Sequence, residues 1–443
     1  MPRTSLSPLD LAFLCLESET APMHMGAVLT FTPAEPVSPE RLAALLAERA
    51  GEIPKLRQKT RTELFPPGAA TWSEDPDFVA AQHIHHHRVS TLYDVDPLPE
   101  YAARWIARPL DTGRPLWDLT VVSGLPEGRF AVLLKLHHAL TDGAGAYAVA
   151  VGLLDGLPLT ARATAAGRGL AVVPQPRSAL GAVKDTIAQA GETAGIASSV
   201  VRAARPPRSL VSPVSLVSAP ASAERRLGFV RLPAADVRRI RRAHGGTGND
   251  VVLAVLAGAL REWLVNRGQR ADGRTLRALI PVSVRGRAGT QLGGNKLSGY
   301  LCDLPIGLDD PVRRLAVVRH AMTRNKATGP ARGAGAFPLL AGRVPPVLHR
   351  LGAKTAGLAA PLLFDLVVTT VPLPPARLAL DGAPLAEVYP FVPLAPRHAV
   401  GIAVANYRDS VHIGLQANGA AVPDIGSLRD AVLKSAAGLL DTA

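Results

Sequence analysis

Aromatic side chains are scarce here: Phe, Trp and Tyr together supply 4% of 443 residues. The cores must therefore be built from Val, Leu, Ala and Ile. The chain also lacks the interleaved rings on which single-stranded nucleic acid stacks. Cysteine is nearly absent, with only Cys15 and Cys302 present, which excludes a disulfide framework and fits a reducing compartment. No uninterrupted apolar run approaches the ~18 residues of a membrane-spanning helix. The opening stretch MPRTSLSPLDLAFLCLESE is apolar only from Leu11 to Leu16, between Asp10 and Glu17. That is shorter than the ~7–15 residues of a signal-peptide core, so a cytoplasmic protein is expected. Acidic residues are the minority, 36 against 49 basic, for a formal net charge of +13. Such a surface attracts anionic lipid or phosphate-bearing ligands. Nucleic acid is not expected as a partner, because the arginines are scattered.

Hydrophobic residues make up 47% of the chain, a globular composition. The length exceeds one comfortable core, so two domains are expected. Up to Leu157, strand-like and helical patterns alternate. HMGAVLTF reads as a strand, SPERLAALLAERAGEIP as a helix capped by Ser38 with Pro39 in its first turn. RFAVLLKLHH is an apolar strand and AGAYAVAVGLL a short buried helix. Residues 158–223 shift to Pro, Ser, Ala, Arg and Gly and read as an interdomain linker. Within it, from Ser178 to about Arg205, apolar residues recur at helical spacing. This helix either packs on the domain surface or lies on a lipid surface. Residues 224–443 resume mixed α/β patterning. ADVRRIRRAHGG is a basic helix, GNDVVLAVLAGALREWLVNRG an apolar one, and LRALIPVSVRG and LLFDLVVTTVPLP are strands. HAVGIAVANYRDSVHIGLQAN is a hairpin turning at Arg408-Asp409, and SLRDAVLKSAAGLL a final helix.

The chemistry centres on KLHHALTDGAG. In a strand through His138, period-two alternation sends Leu134, Leu136 and His138 to one face and Lys135 and His137 to the other. ALTDGAG then turns into a helix capped by Asp142 or Thr141, whose glycines expose backbone N–H groups. An imidazole titrating near ~6.5 can take a hydroxyl proton, and N–H donors at a helix start can meet a developing oxyanion. The arrangement suits acyl transfer. A metal site is poorly served by adjacent histidines on opposite faces.

HHALTDG matches the HHxxxDG motif of the CoA-dependent acyltransferase superfamily. Around it, LSPLDLAFLCLES…PMHMGAV, RPLW (Arg114 to Trp117), GNDVVLAVLAGAL, PVSVR and GNKLSGYLCDLP follow in an order that resembles the bacterial wax ester synthase/diacylglycerol acyltransferase family over nearly the whole chain. The resemblance implies an α/β fold of two chloramphenicol-acetyltransferase-like domains, each a mixed sheet with flanking helices, with the active-site channel between them. It implies transfer of a fatty acyl group from acyl-CoA, as co-substrate and without a resident cofactor, to a hydroxyl acceptor. The product would be triacylglycerol from diacylglycerol, or a wax ester from a long-chain alcohol. His138 matches the general base, acting without an acyl-enzyme, His137 the supporting histidine, Asp142 the structural aspartate, and Gly143 the residue leaving room beside the base. Arg285, ending PVSVR, matches the arginine that meets the motif aspartate. Asn249 and Asp250 match an Asn-Asp pair shaping the chamber; read from the residues alone, either can cap the following helix. Peripheral contact with the inner membrane face or lipid droplets is implied as well.

One stretch departs from the family. VTTVPLP (Val368 to Pro374) stands where Ser-Asn-Val-Pro-Gly-Pro is usual, and Leu373 cannot reproduce the close backbone approach of glycine. The departure bears on the acceptor or acyl pocket. It favours an alternative in which the same fold serves a specialised natural-product hydroxyl or amine; a non-catalytic lipid-binding relative is the other alternative. The run HIHHHRVS reads as exposed, alternating histidines on a strand rather than a metal tract. Arg238, Arg239, Arg241 and Arg242 form either a solvated helix face or a contact for CoA phosphates or anionic lipid.

Overall fold

The computed structural model describes residues 4–64, 69–90, 96–156, 219–283, 297–328 and 363–443. Most of the linker, its helix from Ser178 to about Arg205, and Arg285 lie outside the described residues.

In chain order the first half holds β1 (Thr4–Ser5), α1 (Pro8–Leu16), β2 (His24–Phe31), α2 (Pro39–Glu52), β3 (Gln58–Thr62), β4 (Ala70–Glu74), β5 (Ile84–Arg88), α3 (Leu98–Ala107), β6 (Trp117–Ser123), β7 (Phe130–His137) and α4 (Gly143–Leu153). The second half holds β8 (Arg225–Pro233), α5 (Ala234–His244), α6 (Gly248–Asn266), β9 (Leu276–Ser283), β10 (Leu297–Leu304), α7 (Pro311–Thr328), β11 (Leu366–Pro372), β12 (Ala379–Leu380), β13 (Ala383–Phe391), β14 (Val400–Tyr407), β15 (Ser410–Asn418) and α8 (Ile425–Leu440). None of the described helices is long and apolar enough to cross a membrane.

Two six-stranded mixed sheets and a small three-stranded one, β1-β4-β3, organise these elements. Of the larger two, one has the order β12-β13-β2-β7-β6-β5, the other β10-β9-β11-β14-β15-β8. The expected mixed α/β architecture is present, but the chain does not divide at the linker. Residues 379–391, placed by sequence in the 224–443 half, cross to the first sheet, where β13 pairs antiparallel with β2. The reason is apolar: Leu378, Leu380, Ala383, Leu385 and Val388 are buried in the core built by α2, β2 and β7. Alternation in this segment marks a strand; it carries no information on which sheet the strand joins.

Local chemistry explains the elements around the site. Ser38 caps α2 by accepting from the Arg41 N–H at 3.2 Å, with Pro39 in the first turn. α1 opens on a reciprocal capping box between Ser7 and Asp10. The β14–β15 hairpin closes between Tyr407 and Ser410, with Arg408 at φ 51°. β7 is buried along its whole length, between β2 and β6. Its Phe130, Val132, Leu134 and Leu136 join the core under α2 and α4. Ala131 and Leu133 join a second core against Ala102, Trp105 and Ile106 of α3.

Candidate active site

Both histidines stand where β7 ends. The strand stops at His137, yet the sheet register runs one residue further through the backbone, with the His138 N–H donating to the Met23 carbonyl at 2.8 Å. The Leu140 N–H then bonds back to the His137 carbonyl at 2.9 Å and turns the chain.

The two rings occupy different surroundings. His137 is fully buried, on the same face as Lys135. Its Nδ1 accepts from the Ala139 N–H at 3.0 Å, and its Nε2 lies 3.2 Å from Glu17 Oε2. His138 is half-buried, and its ring stacks on Phe13 of α1 with centroids 4.0 Å apart.

Glu17 follows α1 directly and holds a second imidazole, with Oε1 3.2 Å from His24 Nε2. Both contacts are at pairing distance, though off the line of a full hydrogen bond. Burial alone would raise the Glu17 pKa; the contacts with His137 and His24 outweigh it and hold the carboxyl well below the usual range. His24 Nδ1 is 3.3 Å from the Ile106 carbonyl in the last turn of α3. Burial depresses the His24 pKa, with Glu17 pulling the other way. Lys135 completes this polar face, donating to the Trp105 and Arg108 carbonyls at 3.0 and 3.1 Å. An ammonium at a helix C-terminus complements the macrodipole, and burial pushes the Lys135 pKa down to about 8.

Asp142 is fully buried and caps α4, its Oδ1 accepting from the Gly145 N–H at 3.0 Å. Its expected partner Arg285 lies outside the described residues. A Cβ added at Gly143 would meet nothing within 4 Å, whereas one at Gly145 would run into Thr141 Oγ1. In this loop the tight glycine is Gly145.

Neither Asn249 nor Asp250 is the helix cap that their position allowed. Thr247 caps α6, and Asp250 closes a capping box from the third helical position, Oδ2 accepting from the Thr247 N–H and hydroxyl at 2.8 Å each. Threonine wins because it precedes the first helical residue, Gly248. Asn249 instead accepts from Thr370 Oγ1 at 3.1 Å, tying α6 to β11. Leu373, just past β11, packs on the first-half core. In the RPLW segment, Leu116 and Trp117 are buried and the Trp117 indole donates to the Leu56 carbonyl at 2.7 Å.

The histidine tract splits among separate partners. His83 is buried, with Nδ1 3.0 Å from the Trp117 carbonyl. On β5, His85 pairs with Asp118 at 3.2 Å, His86 lies 2.8 Å from Ser123 Oγ, and His87 stacks on Tyr101. Glu17, His24 and Phe13 were not assigned roles from sequence. Their signal was the motif LSPLDLAFLCLES…PMHMGAV, which placed an acid before a strand and a histidine at its start without showing that they converge on His137.

Comparison with known proteins gives the family and the fold. Residues 6–252 match the wax ester synthase/diacylglycerol acyltransferase catalytic domain, and residues 293–439 match the WS/DGAT C-terminal domain. A protein of Mycobacterium tuberculosis named "Probable diacyglycerol O-acyltransferase tgs1" is 31% identical over 438 residues, covering 96% of this chain and 93% of that protein. The solved wax ester synthase/diacylglycerol acyltransferase of Marinobacter aquaeolei superposes with TM-score 0.72 at 24% identity, over 99% of this chain and 100% of that one. The first condensation domain of the calcium-dependent antibiotic synthetase shares the fold, with TM-score 0.62 at 18% identity over 100% of this chain and 97% of that one. The chain thus belongs to the wax ester synthase/diacylglycerol acyltransferase family and is an acyltransferase built on the two-domain chloramphenicol-acetyltransferase-like fold.

Proposed function

We propose that this chain transfers a fatty acyl group from acyl-CoA to a hydroxyl acceptor, diacylglycerol or a long-chain alcohol, with His138 as general base. The observation that carries this is the contrast between the two histidines. His137 is buried and engaged by Ala139 and Glu17, whereas His138 keeps partial exposure. The ring able to meet an acceptor is that of His138.

In this reading His138 takes the hydroxyl proton as the acceptor oxygen attacks the thioester carbonyl. The C–O bond forms, the C–S bond breaks from the tetrahedral intermediate, and the proton passes to the departing CoA sulfur. No acyl-enzyme and no resident cofactor are needed. The positive end of the α4 dipole, at Gly143, favours the developing oxyanion. Asp142 and Gly145 shape that turn, and Arg285 is the proposed cationic partner of Asp142. Relatives named diacylglycerol O-acyltransferase support the substrate class. In this reading the protein works on the cytoplasmic side at a lipid surface, and the exposed arginines Arg238, Arg239, Arg241 and Arg242 of α5 would meet anionic headgroups.

Free CoA release from long-chain acyl-CoA, with diacylglycerol and with hexadecanol, tests the reading. Release with either lipid, lost in His138→Ala, is expected. A second reading, a specialised hydroxyl or amine acceptor, is favoured by Leu373, which fills space against the first core where the family has glycine. It is the better one if both lipids are inert and products appear by mass spectrometry only with polar acceptors.

A further inference from the structure

We propose that Glu17 is a positioning residue for acyl transfer: its carboxylate fixes His137 as the Nε2–H tautomer, and through His137 it holds the turn that carries His138.

The tautomer follows from the donors. A backbone N–H can only donate, so the 3.0 Å contact from Ala139 requires His137 Nδ1 to be an acceptor without a proton. The neutral ring then carries its hydrogen on Nε2, which faces Glu17 Oε2 at 3.2 Å. Remove the carboxylate and this buried N–H loses the acceptor that stands at pairing distance, which is costly. The ring's other tautomer is no escape, since it would aim Nδ1–H at the Ala139 N–H. Ala139 follows His138 directly, so a shift of the His137 ring moves the backbone that carries the base.

The carboxylate also stands beside a second imidazole. Its other oxygen lies 3.2 Å from His24 Nε2, and His24 Nδ1 faces the Ile106 carbonyl at 3.3 Å. A carbonyl can only accept, so the end of α3 puts the His24 hydrogen on Nδ1; the neutral ring then stands beside the carboxylate without donating to it, and His137 is the imidazole that can donate to Glu17. A second, independent contact comes from the same segment. Phe13, one helical turn before Glu17, stacks on the His138 ring at 4.0 Å. Residues 13–17 thus touch both histidines, one through a ring face and one through a carboxylate.

The proposal rests on His138 as base, and its test separates the two. Glu17→Ala is expected to lower kcat for acyl transfer on the order of 10²-fold, the scale of a misplaced catalytic group, with KM for acyl-CoA nearly unchanged. Glu17→Gln should recover most of that loss, because an amide oxygen still accepts from His137 Nε2–H while the amide nitrogen faces His24. Spectra of the protein labelled with 15N-histidine should show one ring fixed as the Nε2–H tautomer in wild type and in Glu17→Gln. That signal should shift toward a tautomer mixture in Glu17→Ala. An unchanged His137 tautomer in Glu17→Ala, or equal kcat loss in the Ala and Gln variants, overturns the proposal. If Glu17→Ala does not fold, a Glu17→Gln protein that loses the fixed tautomer overturns it equally. Full activity in His138→Ala would instead remove the base assignment, and the tautomer readout would still judge Glu17.

Discussion

Gly143 and Gly145 are two positions apart in the motif and meet opposite surroundings. A methyl group at Gly143 enters open space, while at Gly145 it would strike Thr141. Gly145→Ala should therefore destabilise by about 1–3 kcal/mol, the usual cost of overpacking, and lose activity with it. Gly143→Ala should fold normally, because a methyl group there meets nothing. Thermal melts beside CoA-release assays check both; equal melting losses would refute the contrast. His138→Ala should lower the rate by ~10²–10⁴ with little change in melting. A pH effect belongs to His412, which is fully buried and meets Tyr389 edge-on. Burial first, then Arg231, pushes its pKa down to about 4, against ~6.5 in the unfolded chain. As pH falls below that unfolded value, the unfolded chain takes up a proton that the folded chain refuses. Stability present above pH ~6.5 is then lost down to pH ~4, by roughly 3 kcal/mol. His412→Phe should flatten this slope in denaturant titrations at pH 7 and 5. At this scale the sequence disclosed the His138 motif but not Glu17, because convergence of a helix end, a strand start and a strand end is a tertiary fact.

Secondary elements were legible wherever one periodicity dominated. HMGAVLTF is β2, residue for residue, and the Ser38–Pro39 signal starts α2. Each is set by neighbours within a few residues, which a sequence displays. The start of α6 shows the limit: three polar residues, Thr247, Asn249 and Asp250, compete to cap, and local propensity ranks them nearly equal. The structure gives the cap to Thr247 and the third helical position to Asp250. Thr247→Ala should cost about 1 kcal/mol. Asp250→Ala should cost at least as much, since it strips an acceptor from both the Thr247 N–H and the hydroxyl. Both should leave the KM for acyl-CoA unchanged. A raised KM in Asp250→Ala alone, with melting intact, would return Asp250 to the chamber wall.

At the scale of the whole molecule, the crossing of residues 379–391 binds the halves more tightly than a linker could. β13 covers the edge of β2 along Gly26–Phe31 and packs on β14 and β15. An added Cβ at Gly414 of β15 would strike the Pro390 carbonyl, so the strands approach closely there. Phe229 of β8 stacks on Tyr389 at 4.5 Å, extending the contact into the second sheet. A fragment ending at Leu157 would keep β2, β7, β6 and β5 but lose both strands beyond β2. It would expose an unpaired edge and a core missing Leu378, Leu380, Leu385 and Val388. Such an edge is a template for aggregation, and each missing buried side chain forfeits roughly 1.5–3 kcal/mol of burial. Against a net stability of about 5–15 kcal/mol for a domain, that loss is decisive. The fragment 1–157 should be insoluble, or show no cooperative melt by circular dichroism. Fusing residues 376–392 to its end through a flexible linker should restore solubility and a cooperative transition. A fragment 1–157 that melts cooperatively as a monomer would mean that the first sheet is self-sufficient and that β13 only decorates it.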